Sequence, residues 1–271
     1  MRLGDLLLSD ARPMLIDERA DLLALFADLS DEQWVAATEA GHWRVKDVAL
    51  HLLDDDLGWL SRGRDLDLAG LLPTDVDYRD FVRSLDAKNE RWVVGAEGLS
   101  RRLVTGLLCW SGSQVDDFYA SLDLKGASTV IWAADGGVPR WFDLQRDLTE
   151  RWIHQQQIRD AVDQPGRHDR FLPSVLKTFV WAFPHQYRVE AEEGTTVRVN
   201  LGVGGKWTLT RRRQGWELDP GVPEEAAAAI EMSDEAGWRQ LTGLGVPRGG
   251  VVTTGRPDLV DGLLQVRGII V

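Results

Sequence analysis

Apolar residues recur at helical spacing through roughly the first 165 positions of the chain. Positions three or four apart fall on one face of a helix, so each such run predicts an amphipathic helix. Five runs of this kind cover 11–30, 43–63, 78–96, 100–123 and 143–162, with Gly63 as the end of the second. Helices of these lengths with short connections predict a bundle of four or five members. Between the last two helices, Gly136, Gly137 and Pro139 predict a loop.

The pattern changes beyond residue 165. Residues 170–190 predict one more helix, broken near Pro184, and alternating apolar residues then predict short strands with a turn at Gly204-Gly205. The predicted strands cover 197–201, 207–209, 216–218, 226–233, 249–254 and 268–271. Two further helices are predicted at 234–244, with Asp234 as its N-cap, and at 257–266. We therefore predict an α+β protein of two domains, a helical bundle over 1–168 and a small α+β domain over 169–271.

Composition and charge limit the classes of partner. The 271 residues are 44% hydrophobic and 27% charged, and the formal net charge is -12. An acidic protein is repelled by nucleic acid and by anionic membrane surfaces, so we expect neither as a partner. The one cysteine, Cys109, excludes an intramolecular disulfide, and no apolar run approaches the roughly 20 residues that span a bilayer. The N-terminal residues lack the pattern of a signal peptide, and we expect a cytoplasmic protein.

Glu150 and His154 are the clearest chemical signal in the sequence. Residues four apart on a helix lie on the same face, so this carboxylate and this imidazole can bind one metal ion together. An isolated pair of this kind is more often a solvated surface pair. His51 lies in the second predicted helix among apolar residues, where a histidine is usually a core residue.

The predicted bundle gives these residues a common setting. Metal sites in helical bundles are built from side chains on facing helices. His51 from one helix, with Glu150 and His154 from another, supplies three protein ligands. Three ligands leave one position of a tetrahedral zinc ion for water or a thiol, which is typical of a catalytic site.

The segment LSDEQWVAATEAGHWRVKDVALHL resembles the N-terminal signature of the mycothiol-dependent maleylpyruvate isomerase family, one of the DinB-like helical bundles. That family has a glycine-tryptophan pair followed by a helix of the form V-x-D-V-x-x-H-L. The residues that match are Trp43, Val45, Asp47, Val48, His51 and Leu52. The second family motif, glutamate-x-x-x-histidine on the last bundle helix, corresponds to Glu150 and His154. The resemblance therefore implies that His51, Glu150 and His154 are the metal ligands.

The resemblance also implies a function. It indicates a DinB-like four-helix bundle followed by a sterol-carrier-like α+β domain, to which EMSDEAGWRQLTGL is loosely similar. It implies zinc or another divalent metal, mycothiol as thiol cosubstrate and a small electrophilic substrate. The expected enzyme is an isomerase or a thiol S-transferase. A zinc-dependent hydrolase and a non-catalytic metal- or ligand-binding protein remain alternatives, and either a monomer or a dimer is compatible with the sequence.

One departure from the family pattern lies beside the expected site. His42 is inserted between Gly41 and Trp43, which leaves the substrate undefined. His42 is a candidate outer contact of the metal centre, and Asp47 and Asp55 lie one helical turn on either side of His51. The run 54–56 is otherwise expected to be a solvated face.

The sequence offers two further residue types for the reaction, a thiol and a set of arginines. Cys109 lies in an apolar run, where we expect a buried and inert thiol. A substrate carboxylate needs a cation, and the C-terminal candidates are Arg239, Arg248, Arg256 and Arg267.

Overall fold

A computed structural model describes residues 9–73, 78–128 and 138–268. The chain divides into two compact units. The helical unit comprises Asp10–Asp123 and Arg151–Gly166, and the mixed unit comprises Met1–Ser9, Leu124–Glu150 and Arg167–Val271. One helix, Arg140–Ala161, runs without interruption through the boundary between the two. The domain limits 1–168 and 169–271 stay a prediction.

The helical unit is built from long helices around an apolar core. Its helices are α1 (Arg12–Asp28), α2 (Asp31–Trp34), α3 (Val45–Gly58), α4 (Tyr78–Ala96), α5 (Arg101–Ser121) and the second half of α6 (Arg140–Ala161). Serine side chains cap the N-termini of α2 and α5. Ser30 accepts a hydrogen bond from the Gln33 amide, and Ser100 accepts one from the Leu103 amide. The helix pairs α3–α5, α1–α5 and α3–α4 pack together over buried leucine and valine side chains.

The helix that carries His51 does not end at Gly63 as predicted. The α-helix ends at Gly58, and the chain continues as a π-helical turn over Trp59–Arg64. Trp59, the first residue of this turn, lies edge-to-face against Tyr119, with their ring centroids 5.1 Å apart.

The mixed unit contains a five-stranded sheet. Its strands are β1 (Thr196–Asn200), β2 (Lys206–Arg212), β3 (Gly215–Pro220), β4 (Ala228–Met232) and β5 (Val251–Gly255), in the spatial order β3-β2-β1-β4-β5. Only β1 and β4 pair in parallel, with Val197 opposite Ala228. The first half of α6 belongs to this unit, together with α7 (His168–Phe179), α8 (Ala182–Gln186), α9 (Asp234–Leu241) and α10 (Pro257–Gln265).

The prediction of an α+β protein, with a helical N-terminal region and a small C-terminal sheet domain, is confirmed. Two details were wrong. The helix break falls at Val180 and Trp181, and Pro184 lies within α8, where its missing amide falls in the first turn and costs no hydrogen bond. Ser233, not Asp234, caps α9, because its hydroxyl accepts the Ala236 amide.

Some predictions fall outside the described residues. Gly136 and Gly137 of the predicted loop, and residues 269–271 of the predicted last strand, are among them. Pro139 is described and forms an isolated bridge with Ala127. Among the helices that the structure describes, none has the length and apolar character needed to cross a membrane.

Candidate metal centre

The N-terminus of α3 is fixed by side-chain hydrogen bonds, and His51 lies further along the same helix. The Asp47 carboxylate caps this N-terminus. It accepts a hydrogen bond from the Arg44 amide at 3.0 Å and two from the Arg44 guanidinium at 2.8 Å and 3.1 Å. Burial opposes the ionisation of Asp47, but the hydrogen bonds from Arg44 outweigh it and lower its pKa. Asp47 thus caps the helix. One turn later the His51 side chain is buried, with its ring 5.2 Å from the indole of Trp43.

Glu150 and His154 lie one turn apart on α6, as predicted. His154 is 1% exposed and Glu150 is half-buried. The rings of His51 and His154 meet edge-to-face, with their centroids 4.8 Å apart. One possible ligand atom from each of the three residues lies within 4.8 Å of the other two. The structure therefore brings together all three residues that the sequence singled out.

The donor set fits a divalent cation. Two neutral imidazoles and one carboxylate are the ligands that zinc accepts in catalytic sites, and water is excluded from most of this one. Nδ1 of His154 lies 2.7 Å from the Oε1 atom of Gln157, so the outer ring nitrogen already has a hydrogen-bond partner. Asp55 also approaches, with Oδ2 3.6 Å from Nε2 of His51. Such outer contacts are the usual surroundings of metal-bound histidine.

The second half of α6 is buried although it is polar. Six of its polar side chains are buried, namely Arg151, His154, Gln155, Gln156, Gln157 and Arg159. A buried helix is normally apolar, and a buried polar group is costly unless it is hydrogen-bonded. Each of these side chains does have a partner; for example, Gln155 donates to Glu18 and accepts from Arg159. The sequence did not predict the burial, because the helix is polar on most of its circumference.

A buried ion cluster lies beside the candidate centre. Asp56 is 0% exposed and accepts hydrogen bonds from Arg19 (2.8 and 3.0 Å), Arg151 (2.6 Å) and Ser111 (2.6 Å). Burial opposes the ionisation of Asp56, but the two guanidinium groups outweigh it and lower its pKa. The prediction of a solvated face at 54–56 is therefore wrong for Asp56. The cluster joins α1, α3, α5 and α6, including both helices that carry the histidines.

Acidic and basic groups also surround the first half of α6, within the mixed unit. Burial raises the pKa of Asp143 to about 6, although its neighbour Arg146 opposes the rise. Asp143 contacts the Ser128 hydroxyl and lies 3.2 Å from Arg146. Burial lowers the pKa of Arg146, and the carboxylates of Asp143 and Glu150 counteract this shift. Glu150 therefore has a cation close to it on its own helix.

His42 lies in a cavity on the helical unit, next to Trp43. The cavity has a volume of about 270 Å³ and is lined by His42, Trp43, Arg44, Asp47, Glu90, Val93, Val94 and Glu97. Glu90 accepts the indole N–H of Trp43 at 3.0 Å, and Nε2 of His42 lies 3.2 Å from the same carboxylate. These hydrogen bonds lower the pKa of Glu90. Trp43 is therefore anchored at one edge while its ring lies against His51.

The other candidates have local roles or are exposed. Arg239 pairs with Glu235 and lies over the Trp238 ring, whereas Arg256 pairs with Asp258. Arg267 donates to the carbonyl groups of residues 264 and 266, and Arg248 is exposed.

The expectation of a buried Cys109 is wrong, because its thiol lies on the solvent side of α5. In the apolar run around it, Leu108 is buried and Leu107 packs partly against the core, whereas Trp110 is exposed.

Comparison with known proteins identifies similar chains. Residues 15–159 match the family model of the mycothiol maleylpyruvate isomerase N-terminal domain. A crystal structure of the mycothiol-dependent maleylpyruvate isomerase has a TM-score of 0.59 and 13% sequence identity, over 94% of this chain and 95% of that one. A structure of a histidine-to-alanine mutant of the mycothiol-dependent maleylpyruvate isomerase has a TM-score of 0.61 and 12% identity over the same shares. At this identity the likeness shows the fold alone. No curated protein sequence matches the chain.

Proposed function

Because the chain belongs to the mycothiol maleylpyruvate isomerase N-terminal domain family, we propose that it is a metal-dependent enzyme that uses mycothiol as its nucleophile. The proposed metal ligands are His51, Glu150 and His154, and the proposed metal is zinc or another divalent ion. One observation carries the proposal. Two buried imidazoles and a carboxylate, on two helices of the family's domain, bring their ligand atoms within 4.8 Å of one another.

The residues around the ligands support this role. His51 and His154 offer imidazole nitrogens in a buried setting, and the Glu150 carboxylate interacts with the Arg146 guanidinium on the same helix. The ion cluster at Asp56 fixes α3 against α6, so the two histidines meet without further rearrangement. When bound, a divalent ion favours thiolate over thiol and so supplies a nucleophile at neutral pH. The single negative charge of the ligand set leaves a net positive charge that attracts an anionic thiolate.

The proposed substrate is a small electrophile. Reversible addition of a thiolate to a conjugated double bond leaves a single bond that rotates, and elimination then gives the trans isomer. A thiolate that instead displaces a leaving group makes the protein a thiol S-transferase. The inserted His42 changes the loop next to Trp43 and His51, so we propose that this chain differs from the maleylpyruvate isomerases in the substrate it accepts.

The metal ligands can be tested without activity. We expect the purified protein to bind one zinc ion and the variants His51→Ala and His154→Ala to lose it. His168→Ala is the matched control, because His168 pairs with Glu235 in the mixed unit and is not part of the proposed site. Elemental analysis after dialysis with zinc measures the difference. Unchanged zinc in both site variants would refute the proposed ligands.

The reaction is tested with the zinc-loaded protein, mycothiol and a set of electrophiles that includes maleylpyruvate. Thiol-dependent isomerisation, or a covalent mycothiol adduct detected by mass spectrometry, supports the proposal. Hydrolysis of simple esters or amides without thiol would favour a zinc hydrolase instead. Tight binding of metal and ligand with no turnover would favour a non-catalytic binding protein.

A further inference from the structure

The amide of Gln157 contacts one of the two histidines directly. Its Oε1 atom lies 2.7 Å from Nδ1 of His154, and the two residues are 2% and 1% exposed. They are three positions apart on α6, so the helix itself sets their spacing. An amide oxygen can only accept a hydrogen bond, so this contact favours the tautomer of His154 that carries its proton on Nδ1.

We propose that Gln157 is a positioning residue that fixes the tautomer of His154 for metal binding. A neutral imidazole with its proton on Nδ1 carries its available lone pair on Nε2. Gln157 therefore selects Nε2 as the metal-binding atom and holds the ring in one orientation. This inference rests on the proposed function, because it assigns a role toward the metal that His51, Glu150 and His154 would share.

The neighbouring amides show that this contact is specific. Gln155 and Gln156 are also buried, but Gln155 donates to Glu18 and Gln156 donates to the Trp152 carbonyl at 3.3 Å. Gln157 has a hydrogen bond to a proposed ligand, whereas the hydrogen bonds named here for Gln155 and Gln156 go to Glu18 and to the helix backbone. Loss of a general packing role would affect Gln156 in the same way, which makes Gln156 a matched control.

The choice of a neutral partner also has a consequence. A carboxylate at this position would make His154 a stronger base and add a second negative charge to the centre. An amide orients the ring without that charge. Glu150 then remains the one anionic ligand of the proposed set, and the bound ion keeps a net positive charge for an anionic thiol ligand.

The tautomer is measured on the metal-free protein by two-bond proton–nitrogen correlation spectra of the histidine rings. The spectra are recorded at pH 8, above the imidazole pKa of about 6.5 in solution. The His154→Ala variant assigns the His154 signals. We expect the proton on Nδ1 in the wild type and a mixture of tautomers in Gln157→Leu. A wild-type proton on Nε2 would overturn the inference.

Zinc affinity is then measured by competition with a chromophoric chelator, using zinc alone and no thiol. We expect Gln157→Leu to weaken zinc binding about 10- to 100-fold, as other losses of an outer hydrogen bond do. Gln157→Glu retains an acceptor for the Nδ1 proton and should bind zinc at least as tightly as the wild type. Gln156→Leu should leave the affinity unchanged.

The outcomes separate this inference from the function it rests on. Wild-type protein that binds no zinc refutes the proposed function and this role together. Wild-type protein that binds zinc, with equal affinity in Gln157→Leu, refutes only the role of Gln157. Equal weakening in Gln156→Leu and Gln157→Leu would show that any lost buried amide has the effect, and this also refutes positioning.

Discussion

Replacing Asp56 with asparagine should destabilise the helical unit severely. The substitution keeps the size of the side chain but removes the negative charge between Arg19 and Arg151. Both guanidinium groups are buried, so water cannot replace the missing carboxylate. The amide of asparagine can accept from one of them but presents its own N–H₂ group to the other.

The expected magnitude follows from the burial of the cluster. Breaking one buried ion pair costs about 3–5 kcal/mol, because an uncompensated charge stays behind. Asp56 has two such partners and a hydroxyl, so we expect the upper part of that range. Against a typical unfolding free energy of about 5–15 kcal/mol, this is a third or more of the total. With an m-value of about 2–3 kcal/mol per molar urea, the midpoint should fall by about 1.5–2 M.

Urea unfolding followed by tryptophan fluorescence and far-ultraviolet circular dichroism measures this loss. Asp54→Asn is the matched control, two positions earlier on the same helix, where Asp54 pairs with Lys88 and both side chains are partly exposed. The control should lose clearly less stability than Asp56→Asn, because solvent still reaches both of its charged groups. The lowered pKa of Asp56 means that its contribution is present above about pH 4 and disappears as the pH falls through the folded-state pKa. Equal losses in the two variants would refute our account of the cluster.

Three smaller perturbations test other features. Gly112→Ala should destabilise by about 1–2 kcal/mol, because its new methyl group would lie 2.4 Å from Cδ of Arg19, whose guanidinium is held in place. Burial raises the pKa of Asp143 to about 6, so its contribution to the free energy of unfolding should fall by about 3 kcal/mol as the pH rises from about 4 to about 6. Asp143→Asn should abolish this fall, and urea unfolding at several pH values measures it. Ser100→Ala should cost about 1 kcal/mol in thermal or urea unfolding, because it leaves the Leu103 amide without its cap.

Each of these has a control within the chain. Gly106 occupies an exposed position on the same helix, and the methyl group of Gly106→Ala meets no atom within 4 Å, so this variant should gain about 0.5–1 kcal/mol of stability. A similar gain in Gly112→Ala would contradict the predicted clash. A pH dependence of stability that is identical in Asp143→Asn and the wild type would contradict the raised pKa. For Ser100, the Ser100→Asp variant should retain the cap, and a loss as large as that of alanine would refute it.

The sequence predicted the elements that periodicity and end signals define. The spacing of apolar residues predicted α4 with its observed limits. It also predicted that α5 begins at Ser100, the residue that caps it. The same regularity placed Glu150 and His154 on one helix face, and a family motif added His51 from another helix. Local pattern is sufficient here because a helix fixes the relation of residues within four positions.

The sequence could not predict features that depend on contacts between distant segments. The sequence around Asp56 is typical of an acidic surface run. Its burial is stable only because Arg19 and Arg151, which are distant in the sequence, pair with its carboxylate. In the sequence Gln157 does not differ from the two glutamines before it, and its contact with His154 depends on the rotamers of the two side chains. The exposure of Cys109 likewise depends on which side of α5 packs inward, and the apolar run around it concealed that direction.

The chain order of the ion cluster has a consequence for biosynthesis. Arg19 and Asp56 are 37 positions apart, but Arg151 follows Asp56 by 95. At about 5–20 residues per second, a ribosome needs roughly 5–20 s to add that stretch. Once Asp123 has been made, the nascent helical unit has α1 to α5 but still lacks the part of α6 that supplies Arg151 and His154. The helical unit is therefore complete only when Arg151–Gly166 has been made, after the Leu124–Glu150 segment of the mixed unit.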